Sequence, residues 1–188
     1  MTRILLASSS PRRRDLLGSL GFSTRFLAPA ISESRRHGES PRNYVIRLAR
    51  SKAQWGAERA RPGETVVAAD TAVVLGRVIL GKPSGRADHG SKLRRLSGKV
   101  HRVLTAVAVH SGERTKISLE ESKVRFRRIS SETRRAYLRG GEGRDAAGGY
   151  AVQGKLSGLL VESVEGSFSN VVGLPLELTL RLIRKVES

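Results

Sequence analysis

The chain has 188 residues, 35 Lys and Arg against 17 Asp and Glu, a formal net charge of +18 and no cysteine, which excludes disulfide scaffolds, thiolate metal sites and thiol nucleophiles. This length fits one domain spanning 1–188, or two small lobes, a composition 38% hydrophobic and 28% charged is globular rather than disordered, and no apolar run approaches the roughly 20 residues of a membrane span. The charge is spread along the chain (+8, +6 and +4 over 1–60, 61–120 and 121–188) and only 4% of residues are aromatic, so a solvated basic surface that gathers small anions is favoured over specific nucleic-acid binding.

Ile4-Leu5-Leu6-Ala7 reads as a short buried strand; it is too short for a secretion signal, and a cytoplasmic protein is expected. Ser8-Ser9-Ser10-Pro11-Arg12-Arg13-Arg14 follows, with Ser10 suited to cap a helix and Pro11 to its first position. Hydroxyls and arginines beside free helix N–H groups suit a phosphate. A strand is expected over 24–28, then a polar connection containing Glu33 and a second capped helix from Ser40-Pro41. Its apolar stripe is Val45, Leu48, Ala49, Ala53 and Gly56, and Lys52 lies on that same stripe. A core-side lysine either snorkels to solvent or aims its ammonium into a polar site.

Residues 65–75 form a near-continuous apolar run, the pattern of a central strand, interrupted by Asp70-Thr71. A carboxylate there is costly unless paired, protonated or bound to metal, so Asp70 is the leading candidate for chemistry. Gly76-Arg77 reads as a hairpin turn, with Val78-Ile79-Leu80 returning to bring Lys82 back towards Asp70. A helix is expected over 88–96, a turn at Ser97-Gly98, strands over 100–109 and 118–128, and a helix from 131 or 132 to 139. The five glycines of 140–149 mark a loop, and a strand over 158–164, a loop over 166–170 and a helix over 175–186 complete an α/β chain. His37, His89, His101 and His110 lack metal-ligand spacing, and neither a Ser/His/Asp arrangement nor a glycine-rich phosphate loop with its lysine is present.

Several of these segments, in order, resemble the Maf family of nucleoside triphosphate pyrophosphatases. The similarity is carried by Leu6-Ala7-Ser8-Ser9-Ser10-Pro11-Arg12-Arg13, Arg47-Leu48-Ala49 with Lys52-Ala53, Ala69-Asp70-Thr71, Leu80-Gly81-Lys82-Pro83, and Leu96-Ser97-Gly98 with His101 and Thr105. Gly148-Gly149-Tyr150 with Gln153-Gly154 and the block from Gly166 to Leu176 extend it over essentially the whole chain. The resemblance implies an elongated mixed sheet with flanking helices, two lobes around a cleft, like that of the inosine triphosphate pyrophosphatases. It also implies hydrolysis of a nucleoside triphosphate to the monophosphate and pyrophosphate with a divalent cation, Mg²⁺ or alternatively Mn²⁺. Asp70 would be proton acceptor or metal-associated carboxylate, Glu33 a second acidic partner, and Arg12, Arg13, Lys52 and Lys82 triphosphate contacts, with Ser8 and Ser10 in the same phosphate-binding turn.

Three positions separate branches of the family. The dTTP and UTP branch looks like Ser-Pro-Arg-Arg, Asp-Thr and Gln-Gly, whereas the 7-methyl-GTP branch looks like Ser-Pro-Trp-Arg, Asp-Gln and Glu-Gly; this sequence has Arg12, Thr71 and Gln153. An amide at Gln153 both donates to and accepts from a pyrimidine edge, where a carboxylate only accepts. The pyrimidine branch is therefore expected, in a nucleotide-pool house-cleaning role, with 7-methyl-GTP specificity or a non-catalytic nucleotide-binding regulator of cell division as alternatives. The chain departs from that branch at Ala146, where a lysine is common, and an altered rate or affinity is expected from it. No membrane or specific nucleic-acid partner is expected, and a homodimer stays open.

Overall fold

The computed structural model describes residues 2–188. The chain divides into two compact units. The first comprises Met1–Thr71, Thr105–Glu120 and Gly173–Ser188, and the second Ala72–Leu104 and Glu121–Val172. Strands β1 (Arg3–Ala7), β2 (Ser23–Leu27), β3 (Glu64–Leu75), β5 (Val100–Ser111), β6 (Arg114–Phe126) and β7 (Val161–Glu165) follow one another in the sheet in the order β2-β1-β3-β5-β6-β7, and β4 (Val78–Leu80) pairs with β3 outside that path. Among the described residues, six α-helices accompany them: α1 (Pro11–Gly18), α2 (Pro41–Ala57), α3 (Arg86–Leu96), α4 (Ser131–Gly140), α5 (Phe168–Val172) and α6 (Leu176–Glu187). The mixed α/β class and the mixed sheet with flanking helices expected from the sequence are thus present. Among the described residues, no helix is long and apolar enough to cross a membrane.

In the first unit β1 is flanked by β2 and β3, both parallel to it, with Ala7 opposite Leu27 on one side and Ala68 on the other. The connection through α1 leads to one neighbour and that through α2 to the other, so the strand order reverses at β1. In open α/β sheets, ligands bind beyond the carboxyl ends of strands at such a switch point; here Ser8 leaves β1, and Asp70 lies two residues past Ala68. The core of this unit joins Ile4, Leu6, Leu17, Val67, Val107, Leu174 and the apolar stripe of α6, each fully buried leucine contributing about 1.5–3 kcal/mol. Helix α2 presses on the sheet through Gly56, where a Cβ would lie 2.7 Å from Val66 Cγ1 and 3.2 Å from Ala7 Cβ. Only glycine permits that approach, and it brings Lys52, one turn earlier on the same face, down to the strands.

The second unit packs Val73, Leu80, Leu93, Leu96, Val103, Phe126, Tyr137 and Leu160 together. The hairpin at Gly76-Arg77 closes as expected, with Val73 opposite Leu80 and Leu75 opposite Val78. Three expectations are corrected. The segment 166–170 is not all loop, because α5 forms from Phe168, with Asn170 Nδ2 donating to Val103 O (3.1 Å) and Ser122 Oγ (2.9 Å). The strand expected over 158–164 begins at Val161, after a 3₁₀ turn at Ser157–Leu159. Strand β6 starts at Arg114, four residues before the expected 118–128.

His101 is 1% exposed and stacks edge-on against Phe126 at 5.0 Å. Burial lowers its pKa to about 4, so the ring is neutral in the folded protein. The unfolded chain, titrating near the ordinary value of about 6.5, binds the extra proton first. His101 therefore stabilises fully above that value and is expected to lose about 3 kcal/mol as pH falls from ~6.5 to 4. Urea midpoints across that range should drop less in His101→Gln than in the wild type; parallel profiles would remove His101 as the source.

Candidate active site

The first strand–turn–helix places three of the expected residues. Ser8 is buried, and its Oγ accepts from Ser10 N (3.1 Å) and from Arg13 Nη1 (3.4 Å). Ser10 occupies the N-cap position of α1, but its side chain makes no capping hydrogen bond. The cap expected of Ser10 is therefore corrected: Ser8 organises this turn, and a Ser10 hydroxyl not engaged with the helix leaves the capping N–H groups unclaimed by it. Arg12 is half-buried beside it.

Arg13 points inward and is clamped: Nε donates to Gly173 O (2.7 Å) and Nη2 to Thr71 Oγ1 (2.9 Å). Burial pulls this guanidinium below its ordinary pKa, and Asp70 and Glu33 oppose the shift. Thr71 also shares a hydrogen bond with Thr105 (3.0 Å), so its hydroxyl serves as a brace for Arg13. Gly173, at φ +127°, has the open backbone that glycine allows and brings its carbonyl against the guanidinium. Thr105 and Gly173 carry no charge and gave no chemical signal in sequence, although both lie in segments that carry the family resemblance.

The centre of the arrangement is Lys52. Its Nζ lies 2.6 Å from Asp70 Oδ1 and 2.7 Å from Glu33 Oε1, so one ammonium gathers two carboxylates from distant parts of the chain. Lys52 and Asp70 are both buried, at 6% exposure each. Burial pushes the Asp70 carboxyl above its ordinary range, against the pull of Lys52 and Arg13, and Glu33 adds to the rise. A carboxylate that is costly to keep ionised, yet paired, is suited to accept a proton.

Glu33 stands on the connection between β2 and α2, half-exposed and held from α2. Tyr44 Oη donates to Glu33 O (3.1 Å), and Arg47 reaches Ser34 O (3.0 Å) while gripping Glu39 with two charge-assisted bonds of 2.6 and 2.7 Å. The Arg47 contact holds the Glu39 carboxyl down to about 2. This latch was not evident from sequence, although Arg47 falls in the Arg47-Leu48-Ala49 motif.

The structure thus brings Ser8, Ser10, Arg12, Arg13, Glu33, Lys52, Asp70 and Thr71 together in the first unit. Lys82 and Gln153 belong to the second unit, and both are exposed. Lys82 follows β4 by two residues, and Gln153 sits after a glycine-rich segment in which Gly148 and Gly149 take φ of +73° and +78°. Ala146 is buried in that segment. Among the described residues no group of three or more His, Cys, Asp or Glu converges as a metal cage; the carboxylates that converge are the Asp70–Glu33 pair.

A dTTP/UTP pyrophosphatase from Salmonella typhimurium is 44% identical over 183 residues, covering 97% of this chain and 92% of that protein. One of the same name from Anaeromyxobacter dehalogenans is 46% identical over 187 residues, covering 97% and 93%. Among solved structures, a dITP/XTP pyrophosphatase from Mycobacterium abscessus covers 99% of this chain and 97% of that one at a TM-score of 0.46 and 16% identity, too distant to carry residue assignments. The family model described as Maf-like protein matches residues 3–186, nearly the full length. With whole-length relatives at these identities, the chain belongs to the Maf-like protein family.

Proposed function

We propose that this protein hydrolyses the pyrimidine nucleoside triphosphates dTTP and UTP to the monophosphate and pyrophosphate, a house-cleaning activity on the cytoplasmic nucleotide pool. The observation that carries the reading is the Lys52 ammonium held between Asp70 and Glu33 beside a clamped Arg13. The names of the full-length relatives support the same reaction.

In the reaction, a water oxygen forms a bond to the α-phosphorus as the bond from that phosphorus to the bridging oxygen breaks. The water proton passes to the Asp70 carboxylate, and the bridging electron pair leaves with pyrophosphate. Arg12, Arg13 and Lys52 hold the phosphate charge that builds on the departing group, and Lys82 is a further phosphate contact. Two of the three ammonium donors of Lys52 are engaged by carboxylates, which fixes its direction for the phosphate. The Asp70–Glu33 pair fits a hard divalent cation that takes one or two carboxylates and completes its shell with water and phosphate. These two would hold Mg²⁺, or alternatively Mn²⁺, which supplies neutralisation of phosphate charge. No covalent intermediate is needed, so a chain without cysteine loses nothing.

Gln153 reads the base, its amide offering both donor and acceptor. Gln153→Glu is expected to lower kcat/KM for dTTP about 10-fold or more, as a lost donor leaves a base acceptor unpaired. The test of the reading as a whole is pyrophosphate release, with Mg²⁺ present, from dTTP, UTP, CTP, GTP and 7-methyl-GTP. Preference for dTTP and UTP is expected. Release from none of them would favour the nucleotide-binding regulator, and preference for 7-methyl-GTP would overturn the assigned branch.

A further inference from the structure

The segment 149–156, which carries Gln153, is tied down by side chains from elsewhere in the second unit. On its upstream side, Gly149 O is 2.6 Å from His89 Nε2, Tyr150 Oη shares a 2.7 Å hydrogen bond with His101 Nε2, and Ala151 N donates to Tyr137 Oη (3.1 Å). Tyr150, Ala151 and Val152 are buried, and the chain then surfaces at Gln153. On the downstream side the anchor is Glu142, both of whose carboxylate oxygens accept from Leu156 N at 3.2 Å. Two consecutive tight turns carry the chain through and just past the downstream anchor, Gly154 N donating to Ala151 O and Ser157 N to Gly154 O, each at 3.0 Å.

Gly154 is matched to that carboxylate. A Cβ there would lie 2.0 Å from Glu142 Oε2 and 2.8 Å from its Cδ, so the turn and the carboxylate share this space only while the residue is glycine. A charge-assisted bond to a backbone N–H is a strong way to hold a short turn. The buried Tyr150 and its partners secure the upstream part without Glu142, so loss of the carboxylate frees the turn around Gln153 more than the fold.

We infer that Glu142 is a positioning residue for base selection: through Leu156 N–H it fixes the turn that presents Gln153. This rests on the reading of Gln153 as the residue that meets the nucleobase. An amide that must pair with both a donor and an acceptor on a base needs placement to within about half an ångström, and an exposed glutamine on an untethered turn does not have it.

The experiment measures kcat and KM for dTTP and for CTP in Glu142→Ala, Glu142→Gln, Gly154→Ala, Gln153→Ala and the Glu142→Ala/Gln153→Ala pair. For Glu142→Ala, KM for dTTP is expected to rise about 10-fold, the worth of one well-made hydrogen bond to a charged group, with kcat within about 3-fold and the preference for dTTP over CTP reduced. Glu142→Gln, which keeps one acceptor oxygen, should recover part of the loss. Gly154→Ala should reproduce the loss by displacing the carboxylate, giving a second route should Glu142→Ala fold poorly. In the Gln153→Ala background, Glu142→Ala should add nothing to the loss of preference. If Gln153→Ala abolishes the preference while Glu142→Ala and Gly154→Ala lower only kcat, or add in full to Gln153→Ala, the positioning role is overturned and base reading by Gln153 stands. If Gln153→Ala leaves the preference unchanged, base reading and positioning both fall.

Discussion

Asp70→Asn is expected to lower the turnover of pyrophosphate release from dTTP by about 10²-fold or more, the usual cost of removing a positioned general base. The amide keeps the size of the carboxyl and can still meet Lys52 through its oxygen, but it cannot take a proton from water. Because the exchange removes a charge that burial disfavours while Glu33, 2.7 Å from Lys52 Nζ, still compensates the ammonium, the urea midpoint should fall less than in a variant that removes the lysine. The pH profile offers a second check. Burial raises the Asp70 carboxyl above its ordinary range, so kcat/KM in the wild type should climb with pH through a limb lying above that range, and the limb should disappear in the variant. Turnover within a few-fold of the wild type would remove Asp70 as proton acceptor.

Lys52→Met has the largest expected effect on stability at neutral pH. Breaking a buried ion pair from one side leaves the other charge uncompensated, and here the ammonium serves Asp70 in the interior and Glu33 nearer the surface. A loss of about 3 kcal/mol at neutral pH is expected from the Asp70 side. Without Lys52 the folded-state pKa of Asp70 rises further above its unfolded value, because the neighbouring positive charge and hydrogen bond that lower it are gone. The cost is therefore greatest at high pH and fades as pH falls through that raised value and the carboxyl becomes neutral. The pair Lys52→Met/Asp70→Asn removes both charges and should recover most of the lost stability in a urea cycle. A double variant no more stable than Lys52→Met alone would show that the pair does not carry the cost. Activity is expected to fall in both variants, which makes stability the informative measurement.

The high basic charge does not follow from the site. The four proposed phosphate contacts, Arg12, Arg13, Lys52 and Lys82, are a minority of the 35 basic residues, and others such as Arg25 and Arg47 are engaged by Glu64 and Glu39. A net charge of +18 is expected to gather anionic substrate, so raised salt should slow capture more than it slows chemistry.

Much of the first unit was legible because period and chemistry conflict there. Lys52 breaks an apolar helical stripe and Asp70 an apolar strand, and a charge in such a position announces itself against its neighbours. The hairpin at Gly76-Arg77 was equally legible, since its turn residues and flanking apolar runs are local. Helix α5 was not, because five residues give too little hydrogen bonding to stand alone, and Asn170 holds them through Val103 and Ser122, far away in sequence. The late start of β7 was hidden for the same reason: its register comes from β6, with Val124 opposite Val164.

The α/β class, the family resemblance and the candidate residue types for phosphate chemistry are readable from local pattern and motif order. The partners of those residues are not. Lys52 takes Glu33 and Asp70, 19 and 18 residues away, and Thr71, at a position that separates the family's branches, spends its hydroxyl bracing Arg13. Hydrogen bonds and ion pairs form between groups that the fold brings to within about 3 Å, and no local pattern carries that distance.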